Sequence, residues 1–455
     1  MSQYVSFPDV ISTDFTIPSL TLSNIENELR RLKDMGLIPK YLSSSPFVMW
    51  DITYRCNARC IYCYNSSPKE VEELSMAESM KVAEQIVRAK CFSVCLTGGE
   101  PTLRSDLQIA LAKYLHNYGI AVSTITNGWL VDEDLAKNLS KYLSLVQVSL
   151  DGSSPSVHDK IRGVPGLFER ALNAIRLFQK YGVKNVTISF ACTKSNIDDF
   201  PNMVDLCRQL KIRQLRTMPL IPTGRGNDAS LHPAPAEYRK LMKFIEKTNA
   251  NASETGDEFI VEWGDPAGHV KLGLLFGYVA GLNIKADGFV SFSPYLPYVF
   301  GNLRNESLSR IWLKGLREAW RISTVRRAAK KIKKADDFAL VWKTSTQNIN
   351  LEPLEKPISE ELSQILEMYP RLDRKIAWRM DGETEEHVFF SSTKLKSFSL
   401  LNPAAARIFS LCDGFHSIEH IVDIVWRQYK TVPKDRIQQD VIKFIQQLKD
   451  LGLLE

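Results

Sequence analysis

The middle of the chain alternates short apolar, β-branched runs with stretches of helical periodicity. The runs fall at Phe47–Thr53, Phe92–Thr97, Ile120–Thr126, Leu145–Leu150, Val186–Cys192 and Gln214–Met218 and predict strands. Ser75 to Glu78 carries the capping-box pattern of a helix reaching about Ala89. Leu107, Leu111, Tyr114 and Leu115 line one face of a second helix, closed by Gly119. Phe168, Leu172, Ile175 and Phe178 line a further one, closed by Gly182. Strand–helix–strand repetition implies parallel strands joined by right-handed crossovers. Six such units, rather than eight, predict an α/β fold built on an incomplete (β/α)6 barrel.

Beyond about Asn251 the pattern changes. Residues 259–303 are rich in glycine and aromatics and predict short strands and turns, and Leu308–Lys334 predicts helix. In the last stretch, strands at Lys375–Met380 and His387–Ser391 flank a turn with Asp381 and Gly382. Helices follow near 402–412, 417–429 and 434–450. The expected division is an N-terminal segment 1–44, the partial barrel 45–250, a small α+β extension 251–343, a linker 344–368 and a winged-helix-like domain 369–455.

Composition narrows the class. The 455 residues are 44% hydrophobic and 24% charged, ordinary for a globular chain and unlike a disordered, collagen-like or disulfide-scaffold protein. The apolar runs are too short to predict a membrane span. The first residues lack a basic stretch leading into an apolar one, so no signal peptide is read and a cytoplasmic location is expected. Arg310 to Lys343 holds 11 Lys/Arg and 3 Asp/Glu, a local +8 that exceeds the whole-chain +6. A solvated helix face is the favoured reading of that stretch. Its aromatics are not interleaved at a stacking spacing, so nucleic acid is not an expected partner.

Three of the eight cysteines sit together, Cys56, Cys60 and Cys63, directly after the first predicted strand. In a reducing compartment such a group reads as metal or redox chemistry rather than disulfides. Thiolates spaced by four and three residues can fold round one corner of an iron–sulfur cluster. Zinc would want a fourth ligand, and neither His116 nor His158 has ligand-like spacing; simple buried thiols are the plain alternative. Other unusual residues also end strands: Gly98, Gly99, Glu100 and Pro101 after the second, Asn127 after the third, Ser149 and Asp151 at the fourth, Lys194 and Asn196 after the fifth, Pro222 to Arg225 after the sixth. Barrel enzymes gather their sites at that rim.

The stretch CNARCIYC at 56–63, with GGEP at 98–101 and VSLDG at 148–152, resembles the radical S-adenosylmethionine (SAM) enzymes over about residues 45–230. The resemblance implies one 4Fe–4S cluster held by Cys56, Cys60 and Cys63, with SAM chelating the fourth iron. It implies reductive cleavage of SAM to methionine and a 5′-deoxyadenosyl radical that abstracts a hydrogen atom, fed by an electron donor such as ferredoxin or flavodoxin. Gly98 and Gly99 would let the backbone approach the methionyl end of SAM. Glu100 would support its ammonium, and Pro101 would stiffen the turn. Asn127, Ser149 and Asp151 would bond the ribose or methionyl group. Arg162 would pair with the SAM carboxylate, and Tyr62 would lie against adenine. Read singly, GGEP is also a plain loop, Ser149 and Asp151 a turn and a helix cap, and Arg162 a surface ion pair.

Residues 281–312 resemble the SPASM extension of peptide-modifying radical SAM enzymes through Asp287-Gly288, Gly301-Asn302-Leu303 and Ile311-Trp312. Its cysteines are missing; Ser293 stands near one expected thiol, so no auxiliary cluster is expected. Cys91 and Cys95 read as core thiols. Residues 369–455, through LNPAAARIFSLCDG at 401–414 and DVIKFIQQLKDLGLLE at 440–455, resemble the PqqD-like modules that bind leader peptides by adding a strand to a sheet edge. The strand around His387–Ser391 and the last helix are the candidate contacts. The combined resemblance implies an enzyme acting on a ribosomally made precursor peptide. A small-molecule or cofactor precursor is the alternative substrate, and a non-catalytic scaffold the alternative of another class.

Overall fold

A computed structural model describes residues 42–342, 365–373, 377–381, 387–392, 397–401 and 403–454. Almost all of the expected N-terminal segment and linker, and Gly382, lie outside the described residues. Strands β1 (Phe47–Thr53), β2 (Ser93–Gly98), β3 (Ala121–Thr126), β4 (Leu143–Ser149), β5 (Asn185–Ala191), β6 (Gln214–Met218) and β7 (Ile260–Trp263) lie parallel, side by side in chain order. Parallel neighbours need long crossovers. These are α1 (Met76–Arg88), α2 (Ser105–Asn117), α3 (Glu133–Leu139), α4 (Pro155–Arg162) with α5 (Leu167–Lys180), α6 (Phe200–Gln209) and α7 (Pro235–Thr255). Ser75 caps α1 in a full capping box with Glu78.

Alternation along each strand sorts the side chains. Val48, Trp50 and Ile52 of β1, Leu96 of β2 and Val146 and Val148 of β4 bury in one core with Ile86, Leu111 and Phe178 of the helices. Each such burial contributes roughly 1.5–3 kcal/mol. The other strand face carries polar residues, Asp51, Thr97 and Ser149 among them, at alternate positions.

The six expected strands all appear, to within two residues at either end. The sheet continues past them. β7 extends one edge. At the other edge β8 (Gly281–Ile284) pairs parallel with β1, followed by antiparallel β9 (Phe289–Ser291) and β10 (Gly301–Asn302). Strands from 251–343 thus complete the same sheet. The remainder of that stretch is α8 (Pro266–Phe276), α9 (Leu308–Leu313), α10 (Ser323–Ala329) and α11 (Phe338–Trp342). The single helix expected over 308–334 is broken into α9, a 3₁₀ turn at Leu316–Arg321 and α10. The breaks let Ile311, Trp312, Leu316, Trp320 and Val325 all bury. Trp320 packs where a Cβ on Gly273 of α8 would stand 2.2 Å from its ring.

The C-terminal body has its own core, including Phe409, Ile421, Val425, Val441 and Ile445. Its sheet is β11 (Ala377–Asp381), β12 (His387–Ser392) and β13 (Ser397–Leu401), followed by α12 (Pro403–Ser410), α13 (Ile418–Gln428) and α14 (Lys434–Asp450). β12 is the middle strand, hydrogen-bonded on both sides. A peptide strand therefore cannot add at His387–Ser391, contrary to expectation; among the described residues the outer edges belong to β11 and β13.

This body docks on the barrel through charge and rings. Arg317 pairs with Asp423. Arg310 lies 3.8 Å from Glu367, Lys90 lies 3.6 Å from Asp413, and the Arg88 guanidinium sits 4.6 Å over the Tyr369 ring. The basic stretch is thus not only a solvated face; two of its arginines serve the dock. Lys90 lies between α1 and β2, so the dock is at the end where β2 begins. The cysteine loop leaves β1 at the opposite end.

Candidate active site

The cysteine loop is fastened from three directions. Where it leaves β1, Gly99 and Glu100 donate backbone N–H groups to Thr53 and Arg55 carbonyls, both at 2.8 Å. A Cβ on Gly98 would stand 2.2 Å from the Thr53 oxygen and one on Gly99 2.3 Å from the Arg55 oxygen. The two glycines therefore make room for the start of the loop itself. In its middle, Arg59 and Ile61 donate to the Arg162 and Ile161 carbonyls at 2.9 and 3.0 Å, tying the loop to the end of α4. At its far end Arg225, after β6, donates from Nε to the Cys60 carbonyl and from Nη1 to that of Ser67, both 2.8 Å.

Cys60 is buried, and Cys56 and Cys63 are half-buried. They share an apolar patch with Ala58, Leu167, Trp129 and Val164. Burial pushes the Cys56 thiol up to about 12. Burial also raises that of Cys60, with the nearby Arg162 charge opposing. Such thiols are inert until a metal takes their protons. Among the described residues no three His, Cys, Asp or Glu side chains converge tightly enough for a single ion. Ligands on separate corners of a cluster stand farther apart than ligands of one ion, and an all-thiol donor set suits iron–sulfur chemistry. The three thiols of the loop are thus a donor set that fits an iron–sulfur cluster.

Behind the loop lies a buried polar network. Asp151, fully buried just after β4, accepts from the Tyr62 hydroxyl at 2.7 Å and from the Ala191 N–H at 2.8 Å. Its Oδ2 pairs with Arg162 Nε at 2.6 Å. Arg162 Nη1 reaches Cys60 Sγ at 3.6 Å. Burial works against the Arg162 charge, but Asp151 outweighs it and holds the guanidinium protonated. Within the protein, Arg162 is partnered by Asp151 and Cys60. Glu100 accepts from Thr102 (N–H and hydroxyl), Thr126 Oγ1 and the Asn127 N–H, at 2.5–3.1 Å. Burial raises its carboxyl against those donors. Pro101, itself buried, opens a 3₁₀ turn after it. Asn127 donates to Asn57 Oδ1 at 2.8 Å, and Ser149 is buried at the last position of β4.

The contacts made by three further residues are not legible in the sequence. His158 accepts the Asp151 N–H at 2.9 Å through Nδ1, which requires the tautomer protonated at Nε2. Asn57, inside the cysteine motif, is the partner of Asn127. Gly224, at φ +56°, has no room for a side chain against the Cys63 carbonyl. Asn57 lies inside the cysteine motif and Gly224 inside the Pro222–Arg225 stretch after the sixth strand, but the contacts of all three join segments remote in sequence.

A parallel sheet whose rim fastens a three-cysteine loop is the architecture of an α/β barrel protein with a candidate cluster site. The radical SAM superfamily profile matches residues 50–207, and that of coenzyme PQQ synthesis protein D (PqqD) matches 386–454. The chain is 30% identical to the Fe-coproporphyrin III synthase of Methanosarcina barkeri, with 62% of this chain and 79% of that protein covered. It is 33% identical to the mycofactocin maturase MftC of Mycolicibacterium smegmatis, over 53% of this chain and 59% of that protein. Among solved structures, Streptococcus suis SuiB bound to S-adenosylmethionine shares the fold at a TM-score of 0.53 and 16% identity, covering 66% of this chain and 72% of that one. The chain belongs to the radical SAM superfamily and carries a PqqD domain. It is an enzyme of the type that uses a 4Fe–4S cluster and SAM. Among the described residues, no helix is long and apolar enough to cross a membrane.

Proposed function

We propose that this enzyme modifies a ribosomally made precursor peptide whose leader is held by residues 369–455. The observation that carries the reading is the PqqD domain fused to, and docked on, the barrel that bears the cysteine loop. The leader adds as a strand to an outer edge of β11 or β13. Cys56, Cys60 and Cys63 hold the cluster, which when bound supplies the electron and the open iron for reductive cleavage of SAM. Asn127 and Ser149, at the ends of β3 and β4, face SAM together with the Gly98-Gly99 turn. Glu100 and Pro101 shape that turn, and Asp151 and Arg162 brace Tyr62 and the loop. A ferredoxin- or flavodoxin-like protein supplies the electron.

The test is anaerobic reconstitution of the full chain, incubated with SAM, reductant and the peptide encoded by a short reading frame beside its gene. Peptide-dependent 5′-deoxyadenosine and a mass change on the peptide are expected. A second reading, a tetrapyrrole substrate, is favoured by the match covering 79% of the Fe-coproporphyrin III synthase. Turnover with a coproporphyrin, and none with peptide, would replace the first reading by the second.

A further inference from the structure

We infer that Arg162 sets the reduction potential of a cluster held by Cys60, with Asp151 acting through it in the opposite sense. The inference rests on the cysteine assignment proposed above. It starts from three contacts of one side chain. Arg162 Nη1 lies 3.6 Å from Cys60 Sγ, Nε lies 2.6 Å from Asp151 Oδ2, and the guanidinium stands 5.5 Å from the centre of the Tyr62 ring. Arg162 is 8% exposed and Asp151 fully buried, so neither charge is screened by solvent as a surface charge is.

Hydrogen bonds and charge at the sulfurs are the levers by which a protein moves a cluster's potential. A reduced cluster carries one more negative charge than an oxidised one. A cation donating to a ligand sulfur favours the reduced state and raises the potential. The Asp151 carboxylate partly cancels that cation. The Tyr62 hydroxyl, donating to the same Oδ2 at 2.7 Å, holds Asp151 in place. Arg162 also has a backbone part: its carbonyl accepts from Arg59 N–H at 2.9 Å, which fixes the loop. Side-chain variants leave that bond available, so charge and scaffold can be separated.

The experiment is an EPR-monitored redox titration of the reconstituted, SAM-free holoenzyme. Arg162→Gln is expected to lower the midpoint potential by about a tenfold change in the reduction equilibrium, 59 mV for one electron. Arg162→Lys keeps the charge and is expected to recover most of that shift. Asp151→Asn is expected to raise the potential. Opposite signs for the two neutralising variants are what a merely structural role would not produce. Iron counted before each titration restricts the comparison to fully loaded samples. Equal potentials in loaded Arg162→Gln and wild type, or shifts of the same sign in both neutralised variants, overturn the inference with the cysteine assignment left standing. If Arg162→Gln fails to load, Asp151→Asn alone decides by its sign. A wild-type chain that takes up no cluster removes the cysteine assignment, and the inference with it.

Discussion

Arg317 and Asp423 form a buried ion pair across the seam between the barrel and the C-terminal domain, at 7% and 2% exposure. Lys434 lies 3.0 Å from the other Asp423 oxygen. Burial opposes the Asp423 charge, but Arg317 and Lys434 together hold the carboxyl below its usual range. Removing one member of such a pair strands the other charge in a dry place, at about 3–5 kcal/mol. Asp423→Ala is therefore expected to lose about that much in chemical denaturation and to expose the seam to limited proteolysis. Arg317→Met combined with Asp423→Leu is expected to cost less than Asp423→Ala alone. An equal or greater loss in the double variant would contradict this account.

The same seam makes stability depend on pH. His420 is 8% exposed, and its Nε2 is buried without a hydrogen-bond partner among the described residues. Burial, then His416, pushes it down to about 4, with Arg317 and Arg427 adding and Asp423 opposing. The unfolded chain binds this proton near 6.5, so between about pH 6.5 and 4 the unfolded state holds more protons. The contribution of neutral His420 is complete above about 6.5 and is lost as pH falls toward 4, at up to roughly 1.4 kcal/mol per pH unit. His158, fully buried, is pushed to about 4 mainly by burial and adds in the same sense. Asp413, held down at about 2 against its burial chiefly by His416, titrates below this window. Denaturation midpoints should fall from pH 7 to pH 5, and His420→Phe should flatten the fall. An unchanged slope in that variant would exclude His420 as its source.

The cysteine loop should be sensitive to backbone space at a glycine outside the motif. A Cβ on Gly224 would stand 2.4 Å from the Cys63 carbonyl oxygen, at φ +56°. Gly166, at φ +80°, has nothing within 4 Å of a Cβ. Gly224→Ala adds a clash with backbone to the left-handed strain, whereas Gly166→Ala carries only the strain, about 1 kcal/mol. After reconstitution, iron per chain is expected to drop severalfold in Gly224→Ala and to stay at wild-type level in Gly166→Ala. Arg225→Ala, which removes both carbonyl clamps, should fall between them. Full loading of Gly224→Ala would show that the loop does not need this contact.

The sequence shows its strands and cysteine loop because both are local. A buried parallel strand is a continuous apolar run, and the ligand spacing lies within one loop. Ser75 to Glu78 caps its helix as read, for the same reason. The rest depended on distance. Asp151 and Arg162 stood out as motif residues, but their bond to each other, and that of Arg162 to Cys60, joins three separate elements. β7 falls within the short strands expected over 259–303, but Ile260–Trp263 is too short to show that it pairs parallel with β6. The expected helix over 308–334 is amphipathic in sequence, yet tertiary burial of Trp312 and Trp320 overrides the propensity and breaks it. The PqqD-like text was legible, but which strand of the domain sits in the middle is a matter of pairing. The sequence pattern points to His387–Ser391 as an edge, whereas pairing puts it between β11 and β13.

The extension offers a last test, on what holds it together. Where the resembling family places cysteines, this chain has Ser293, 1% exposed, accepting the Tyr295 N–H at 3.2 Å. Next to it Phe292, also 1% exposed, meets the Trp320 and Phe300 rings edge-on at 4.7 and 5.7 Å and stacks with Tyr298 at 6.4 Å. Aromatic pairs at these separations add about 0.5–1.5 kcal/mol each beyond area burial. These rings gather on Phe292, which directly follows β9, and they cross-link this part of the extension. Phe292→Ala should then destabilise the protein by about 3–5 kcal/mol, in chelator as much as in reconstitution buffer. The reconstituted wild type should hold about four irons, the content of one cubane. About eight irons, or a Phe292→Ala penalty that disappears once iron is bound, would mean that a metal rather than the ring cluster holds this segment.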